Sequence, residues 1–412
     1  MKVLWITNIL FPETMKLLGK SDSFQSSGGW LLGMSEAVTD GRGIALTVAA
    51  VSGLVKDLTF LKGEKINYYV LPYGKGNINY NSEYEMFWKE IEKEVKPDIV
   101  HIHGTEFTHG LSYIRACGNR HVVVSIQGLA SQIAKYYYGG LSKWEILKNV
   151  SVLNFLRNNH LFRQQSLMSI RGKWEEEMIR SVNHIIGRTN FDHSHSMILN
   201  PNIQYYHCNE TLRKEFYSGC WTRGKARTRT IFISLSDSSI KGLHMVLKSL
   251  TIIRKQYPDV MLRITGEDFT KGKCLSNYGR IIKQIIKKNN LTSNITFLGK
   301  LNAQQMRMEY LQASVFVCAS SIENSSNSIS EAQILGVPCI ASYVGGTPSL
   351  IQNELCGEMY RYEDFEMLAY LIIRAFNTPF DNSYVRKEAL KRHDPLLNVN
   401  CIVNIYNDIL NQ

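Results

Sequence analysis

Short apolar runs of strand length alternate with segments of helical period along the whole chain. The alternation begins at once, because KVLWIT is β-rich and apolar until Pro12 and Glu13 stop it. In the first half such runs fall at residues 2–7, 44–51, 68–73, 98–104, 121–128, 182–188 and 203–208, with helix-period stretches between them, as at 29–39 and 82–94. Runs such as VVVSIQ and VFVCAS are apolar at successive positions rather than at every second one, which suits strands buried on both faces of a parallel sheet.

A second series restarts the pattern at 230–235, 260–266, 295–299, 315–320 and 337–342. Between the two series, residues 209–229 are polar and basic, with Arg223, Lys225, Arg227 and Arg229 close together, and this reads as a connection. The expected organisation is α/β: two doubly wound parallel-sheet domains, residues 1–215 and 225–394, with a terminal helix at 395–412 packing back on the first. Ligands of such sheets gather beyond the carboxyl ends of the strands, so the loops there are the places to look for chemistry. Two domains placed face to face would make one central cleft from two sets of those loops.

A chain of 412 residues, 44% hydrophobic and 20% charged, has material for two cores. The apolar run at 3–6 is too short for a signal peptide or a spanning helix, so a cytoplasmic location is expected. Eight cysteines lie scattered without a CxxC pair and read as reduced thiols rather than a disulfide framework or a zinc site. The net charge of +11 calls for an anionic partner, whether nucleic acid, acidic lipid or a phosphate-bearing substrate. Nucleic acid is disfavoured, because the basic residues are spread among α/β elements rather than gathered on a reading module. The stretch 143–173 mixes Lys148, Arg157, Arg163 and Arg171 with Trp144, Leu147, Val152, Leu153, Phe155, Leu156, Leu161 and Phe162. It reads either as a helix lying on an anionic membrane surface or as a basic-sided helix packed on its own domain.

The most informative segment follows the run at 315–320: SIENSSNSISEAQILGVPCIASYVGGTP. Ser328 to Ser330 open a helix that Gly336 and Pro338 end. Its N-terminus offers unpaired amides and the positive end of the dipole, a place for a diphosphate. Glu323 precedes that edge and Glu331 lies one turn inside it, so one carboxylate is placed for sugar hydroxyls and the other for a ribose diol. A solvated first-turn acid and a loop carboxylate are the plainer reading of the same pair.

This Glu, seven residues, Glu spacing resembles the motif of the family 4 retaining glycosyltransferases with the GT-B fold, two Rossmann-like domains. KGLHMVLKSL resembles that family's Lys-Gly helix start, ITFLGKL its base-side loop, SYVGGTP the turn after the donor helix, and the Gly28 to Gly33 stretch its N-terminal glycine loop. The resemblance implies a nucleotide-sugar substrate and no separate cofactor. Lys241 would contact the diphosphate, Glu323 the transferred sugar and Glu331 the ribose, with Asn327, Ser328, Ile329 and Ser330 forming the phosphate edge. Gly266 and Gly299 would line the donor and base side, and Gly28 and Gly29 would admit the phosphates. Catalysis would rest on Glu323 and Lys241, and the acceptor would be a saccharide or lipid-linked saccharide in cell-surface polysaccharide synthesis.

The chain departs from the pattern in two places. The arginine that often accompanies the lysine is a serine here, Ser234 or Ser236, so Arg188 or a cation from the 223–229 cluster would have to replace it. Gln127 stands where many members carry a histidine. His101, His103 and His109 cluster near Glu106, and His103, Glu106, Gln127 and Arg188 are candidates for the acceptor or sugar side. No Asp-x-Asp pair follows a strand, so no metal is expected at the diphosphate. A nucleotide-sugar epimerase, and a nucleotide-sugar-binding protein without transferase activity, are the competing functions.

Overall fold

The computed structural model describes residues 1–20, 29–73, 78–272 and 275–412. The chain divides into two units, one of residues 1–132, 167–211 and 393–412, the other of residues 133–166 and 212–392. The segment 133–166, expected inside the first domain, is therefore grouped with the second unit.

The first unit is built on an eight-stranded sheet: β1 Lys2–Thr7, β2 Ala45–Ser52, β3 Thr59–Lys62, β4 Asn67–Pro72, β5 Ile99–His103, β6 Val122–Ser125, β7 His184–Gly187 and β8 Gln204–His207, in the order β3-β4-β2-β1-β5-β6-β7-β8. Every pairing is parallel except β3 with β4. The β1 run shows why such strands are apolar throughout. Val3 and Trp5 pack on one face against Leu31 and Met34 of the helix Gly29–Thr39 and Ile402 and Tyr406 of the helix Pro395–Leu410. Leu4 and Ile6 pack on the other, with Trp88 of Glu83–Val95 and Met178 of Leu161–Arg180. Trp5 is fully buried, and its Nε1 donates to Tyr406 Oη at 2.9 Å, tying the last helix to the first strand.

The second unit repeats the design with six parallel strands, β9 Thr230–Ile233, β10 Met261–Ile264, β11 Ile295–Phe297, β12 Val315–Cys318, β13 Cys339–Ser342 and β14 Glu358–Tyr360, in the order β11-β10-β9-β12-β13-β14. Ile231 and Ile233 of β9 face one layer of helices and Phe232 the other. Each sheet reverses direction of build at its first strand, so the loops after β1, β5 and β6, and after β9 and β12, gather at carboxyl ends.

Candidate functional site

In the second unit β12 runs through an all-buried stretch, then the chain turns at 319–326 into the helix Asn327–Leu335, which Gly336 ends in a left-handed conformation. Ser326 occupies the N-cap without a side-chain capping bond, so its own hydroxyl does not serve the first-turn amides. Ser330 N–H donates to Ser326 O at 3.2 Å and is already used inside the helix. The amides of Asn327, Ser328 and Ile329 make up the rest of that turn. Ser330 Oγ is buried with no hydrogen-bond partner.

Glu323 stands before this edge, joined to Lys241, whose Nζ lies 2.5 Å from its Oε1. Ser320 Oγ donates to the same oxygen at 2.7 Å. Burial works against the Lys241 charge, but the neighbouring Glu323 outweighs it and holds the ammonium above its ordinary range. Two glycines make this approach possible. Gly242 has φ +69°, and a Cβ there would lie 1.7 Å from Ala319 O; Gly345 has φ +47°, and a Cβ would lie 2.0 Å from Glu323 O. Gly346 N–H donates to that carbonyl at 2.9 Å, so the SYVGGTP turn fixes the Glu323 backbone while the Lys-Gly turn delivers the cation.

Glu331 is buried within the helix and accepts from Arg213 Nε at 3.0 Å and Nη2 at 2.6 Å, both on Oε1. Burial pushes its carboxyl up and Arg213 pulls it back, with a net rise. The Arg213 guanidinium also lies over the Phe216 ring, 4.7 Å from its centre. Sequence reasoning missed this arginine, which sits 118 positions before its partner. The three arginines of the 223–229 cluster are engaged elsewhere. Arg223 donates to the carbonyls of Ala375, Phe376 and Thr378, Arg227 pairs with Glu309, and Arg229 with Asp259.

Gly266 and Gly299 exchange two backbone hydrogen bonds in an isolated bridge, at 2.9 and 3.1 Å. No atom lies within 4 Å of where a Cβ would stand at either. Gly299, with Phe297, Lys271 and Lys283, lines a cavity of about 630 Å³. Gly29 is the first residue of its helix, and Gly28 lies outside the described residues.

In the first unit the remaining candidates meet at the carboxyl ends of β5, β6 and β7. His101 and His103 share one face of β5, as alternation requires, and their rings stack 3.8 Å apart. His101 bonds Tyr406 Oη at 2.7 Å and Ser125 Oγ at 2.6 Å. Burial lowers His101 to about 3 and, with His101 beside it, holds His103 well below the ordinary value, so both rings are neutral near pH 7. Arg188 Nη1 lies 2.5 Å from Glu210 Oε2, both side chains being buried, and Gln127 Nε2 donates to Glu210 Oε1 at 2.8 Å. The Gln127 side chain and Arg188 thus meet on one internal carboxylate and, with His101 and His103, line a cavity of about 30 Å³, room for a water or two. Glu106 lies in the loop after β5, where Asn8 Nδ2 donates to it at 3.3 Å and burial raises its carboxyl.

Among the described residues no group of three or more His, Cys, Asp or Glu is placed to hold a metal ion, and no helix is long and apolar enough to cross a membrane.

Two doubly wound sheets, parallel but for the β3–β4 edge pair, are the architecture of the GT-B fold. Residues 222–392, within the second unit, match the family described as Glycosyl transferases group 1. Over 99% of its length the chain superposes on 98% of sucrose-phosphate synthase from Thermosynechococcus elongatus, with a TM-score of 0.67 at 16% identity. It superposes on 99% of Anabaena Alr3699/HepE, solved in complex with UDP and glucose, with a TM-score of 0.65 at 14% identity, again over 99% of its own length. By sequence it is 29% identical over 130 residues to spore coat protein SA of Bacillus subtilis (strain 168), covering 31% of this chain and 33% of that protein. It is 24% identical over 262 residues to the protein YtcC of the same strain, covering 58% of this chain and 62% of that one. The chain thus spans a third and somewhat under two thirds of these curated relatives.

Proposed function

We propose that the protein transfers a sugar from a nucleotide-sugar donor, a UDP-sugar foremost, to a saccharide or lipid-linked saccharide, with retention of anomeric configuration. The observation that carries this reading is the pair of acids astride an uncapped helix N-terminus, one of them bonded to Lys241. The diphosphate would lie on the first-turn amides, with Glu323 at the sugar and Glu331 at the ribose. UDP in the complex of the Anabaena neighbour supports the choice of base.

In the reaction the bond from the anomeric carbon to the phosphate oxygen breaks, and its electron pair leaves with the nucleotide. The acceptor oxygen bonds to the anomeric carbon on the same face, and its proton passes to the departing phosphate. Charge building on that phosphate is met by the Lys241 ammonium and the helix amides, preorganised donors of the kind that most lower such barriers. Glu323 would hold sugar hydroxyls and keep Lys241 aimed. Chemistry supplied in this way runs without a divalent metal, in the cytoplasm, and a lipid-linked acceptor would place it at the inner face of the membrane in cell-surface polysaccharide synthesis.

The test is a screen of UDP-, GDP- and ADP-sugars for transfer in excess EDTA, with Glu323→Ala and Lys241→Ala alongside. The expected result is transfer from a UDP-sugar that survives EDTA and falls at least roughly a hundredfold in each variant. Near-normal transfer in both variants would place the site elsewhere, and product formed from donor alone, without acceptor, would make the protein an epimerase.

A further inference from the structure

The segment 143–173 is not one amphipathic helix but three, Lys143–Lys148, Val152–Leu156 and the start of Leu161–Arg180. The third behaves as a core element, since Leu161 is buried. The first two are inside out. Their inward residues are Ile146, Asn149 and Asn154, while Trp144, Leu147, Val152, Leu153, Phe155 and Leu156 stand 38–78% exposed. In VLNFL the one buried side chain is the asparagine, whose Nδ2 donates to Leu275 O at 3.0 Å, and the four apolar ones face out. Asn277 Nδ2 in turn donates to Ile146 O at 3.0 Å, so polar bonds anchor both short helices to the second unit and hold their apolar side outward.

Exposed large apolar groups are ordinary when scattered, but six within thirteen residues form a patch of the kind that marks an interaction surface. Its charge selects the partner. Residues 133–166 carry Lys135, Lys143, Lys148, Arg157 and Arg163 against one acid, Glu145. That acid is engaged in a capping box with Ser142. Apolar side chains with an outward Trp, rimmed by lysine and arginine, suit the interface of an anionic bilayer, where aromatic and aliphatic groups enter the headgroup boundary and cations meet the lipid phosphates.

We infer that the two helices Lys143–Lys148 and Val152–Leu156 dock this protein on an anionic lipid surface. The inference stands apart from the donor site and holds whether or not the transfer reading does. Its test is flotation of the full chain with vesicles containing phosphatidylglycerol, and with vesicles of phosphatidylcholine alone. A triple variant, Val152→Ser/Phe155→Ser/Leu156→Ser, and a double variant, Lys148→Gln/Arg157→Gln, are carried in parallel. The full chain is expected to float with the anionic vesicles, to be released by high salt, and to show a blue shift of tryptophan emission that Trp144→Phe removes. Each multiple variant is expected to lower partitioning by roughly tenfold or more while leaving the melting temperature unchanged, because all five side chains are exposed. Equal flotation with neutral vesicles, or wild-type partitioning by the triple variant, would overturn the inference. Failure to bind vesicles, joined to concentration-dependent self-association that the triple variant abolishes, would overturn it in favour of a second copy of the chain.

Discussion

Removing Arg213 tests whether Glu331 is held as a buried, paired carboxylate. The Glu331 side chain is 7% exposed and that of Arg213 23%, and the two bonds converge on one oxygen. Truncating one member of such a pair strands its partner's charge, which costs about 3–5 kcal/mol when both are fully buried. The partial exposure of Arg213 brings this to about 2–3 kcal/mol, since water can enter the vacated space. For a unit of roughly two hundred residues that corresponds to a fall in melting temperature of about 5–10 °C. Glu331→Gln keeps the shape and removes the charge, leaving a guanidinium that can still reach solvent, so its loss is about 1 kcal/mol. In the double variant Arg213→Met/Glu331→Gln no charge is stranded, and the losses do not add, with a coupling of about 1–2 kcal/mol. Calorimetric melting of the four proteins measures this directly. Additive losses, or a shift of less than about 2 °C for Arg213→Met, would refute the pairing as a structural term.

Two further outcomes follow from the geometry. Gly242→Ala places a methyl on Ala319 O and forces a side chain onto φ +69°, so the Lys-Gly turn must move away from the Glu323 loop; a stability loss of about 1–3 kcal/mol is expected, with transfer falling at least roughly tenfold, and wild-type transfer rates would contradict it. Burial lifts the Glu175 carboxyl to about 7 against the bonds from Ser131, Ala130 and Thr105. Its folded value lies above the unfolded one of about 4.3, so the native state holds the proton between them and loses stability as pH rises toward 7, by on the order of 3 kcal/mol; melting from about pH 5 to 8 should show that decline and Glu175→Gln should flatten it, whereas an unchanged slope would contradict the assignment.

The two parallel sheets were legible because their strands are buried on both faces, and near-continuous apolar runs such as VVVS and VFVC mark that environment. The edges were not. β3, TFLK, alternates between half-buried and exposed positions and pairs antiparallel on one side only, so its composition carries little signal. β14, EMY, is three residues long and completes the other sheet from one side. The helix after β12 was readable because serines open it and Gly336 with Pro338 ends it, with Glu331 inside and Glu323 ahead of it. Arg213 was not, since a contact across 118 residues leaves no local periodicity. Arg188 looked like a ligand because it ends a strand, whereas its guanidinium turns inward to Glu210. The grouping of 133–166 with the second unit likewise depends on long-range bonds, such as Gly139 O accepting from Tyr362 Oη at 2.7 Å.

Calorimetric titration of UDP into the wild type, Glu331→Ala and Glu323→Ala bears most directly on the account. A ribose carboxylate at 331 and a sugar carboxylate at 323 predict that Glu331→Ala weakens UDP at least roughly tenfold, as loss of a charge-assisted pair of bonds does, while Glu323→Ala binds UDP nearly as the wild type does. UDP bound equally well by Glu331→Ala and the wild type, or not bound by the wild type at all, would contradict it.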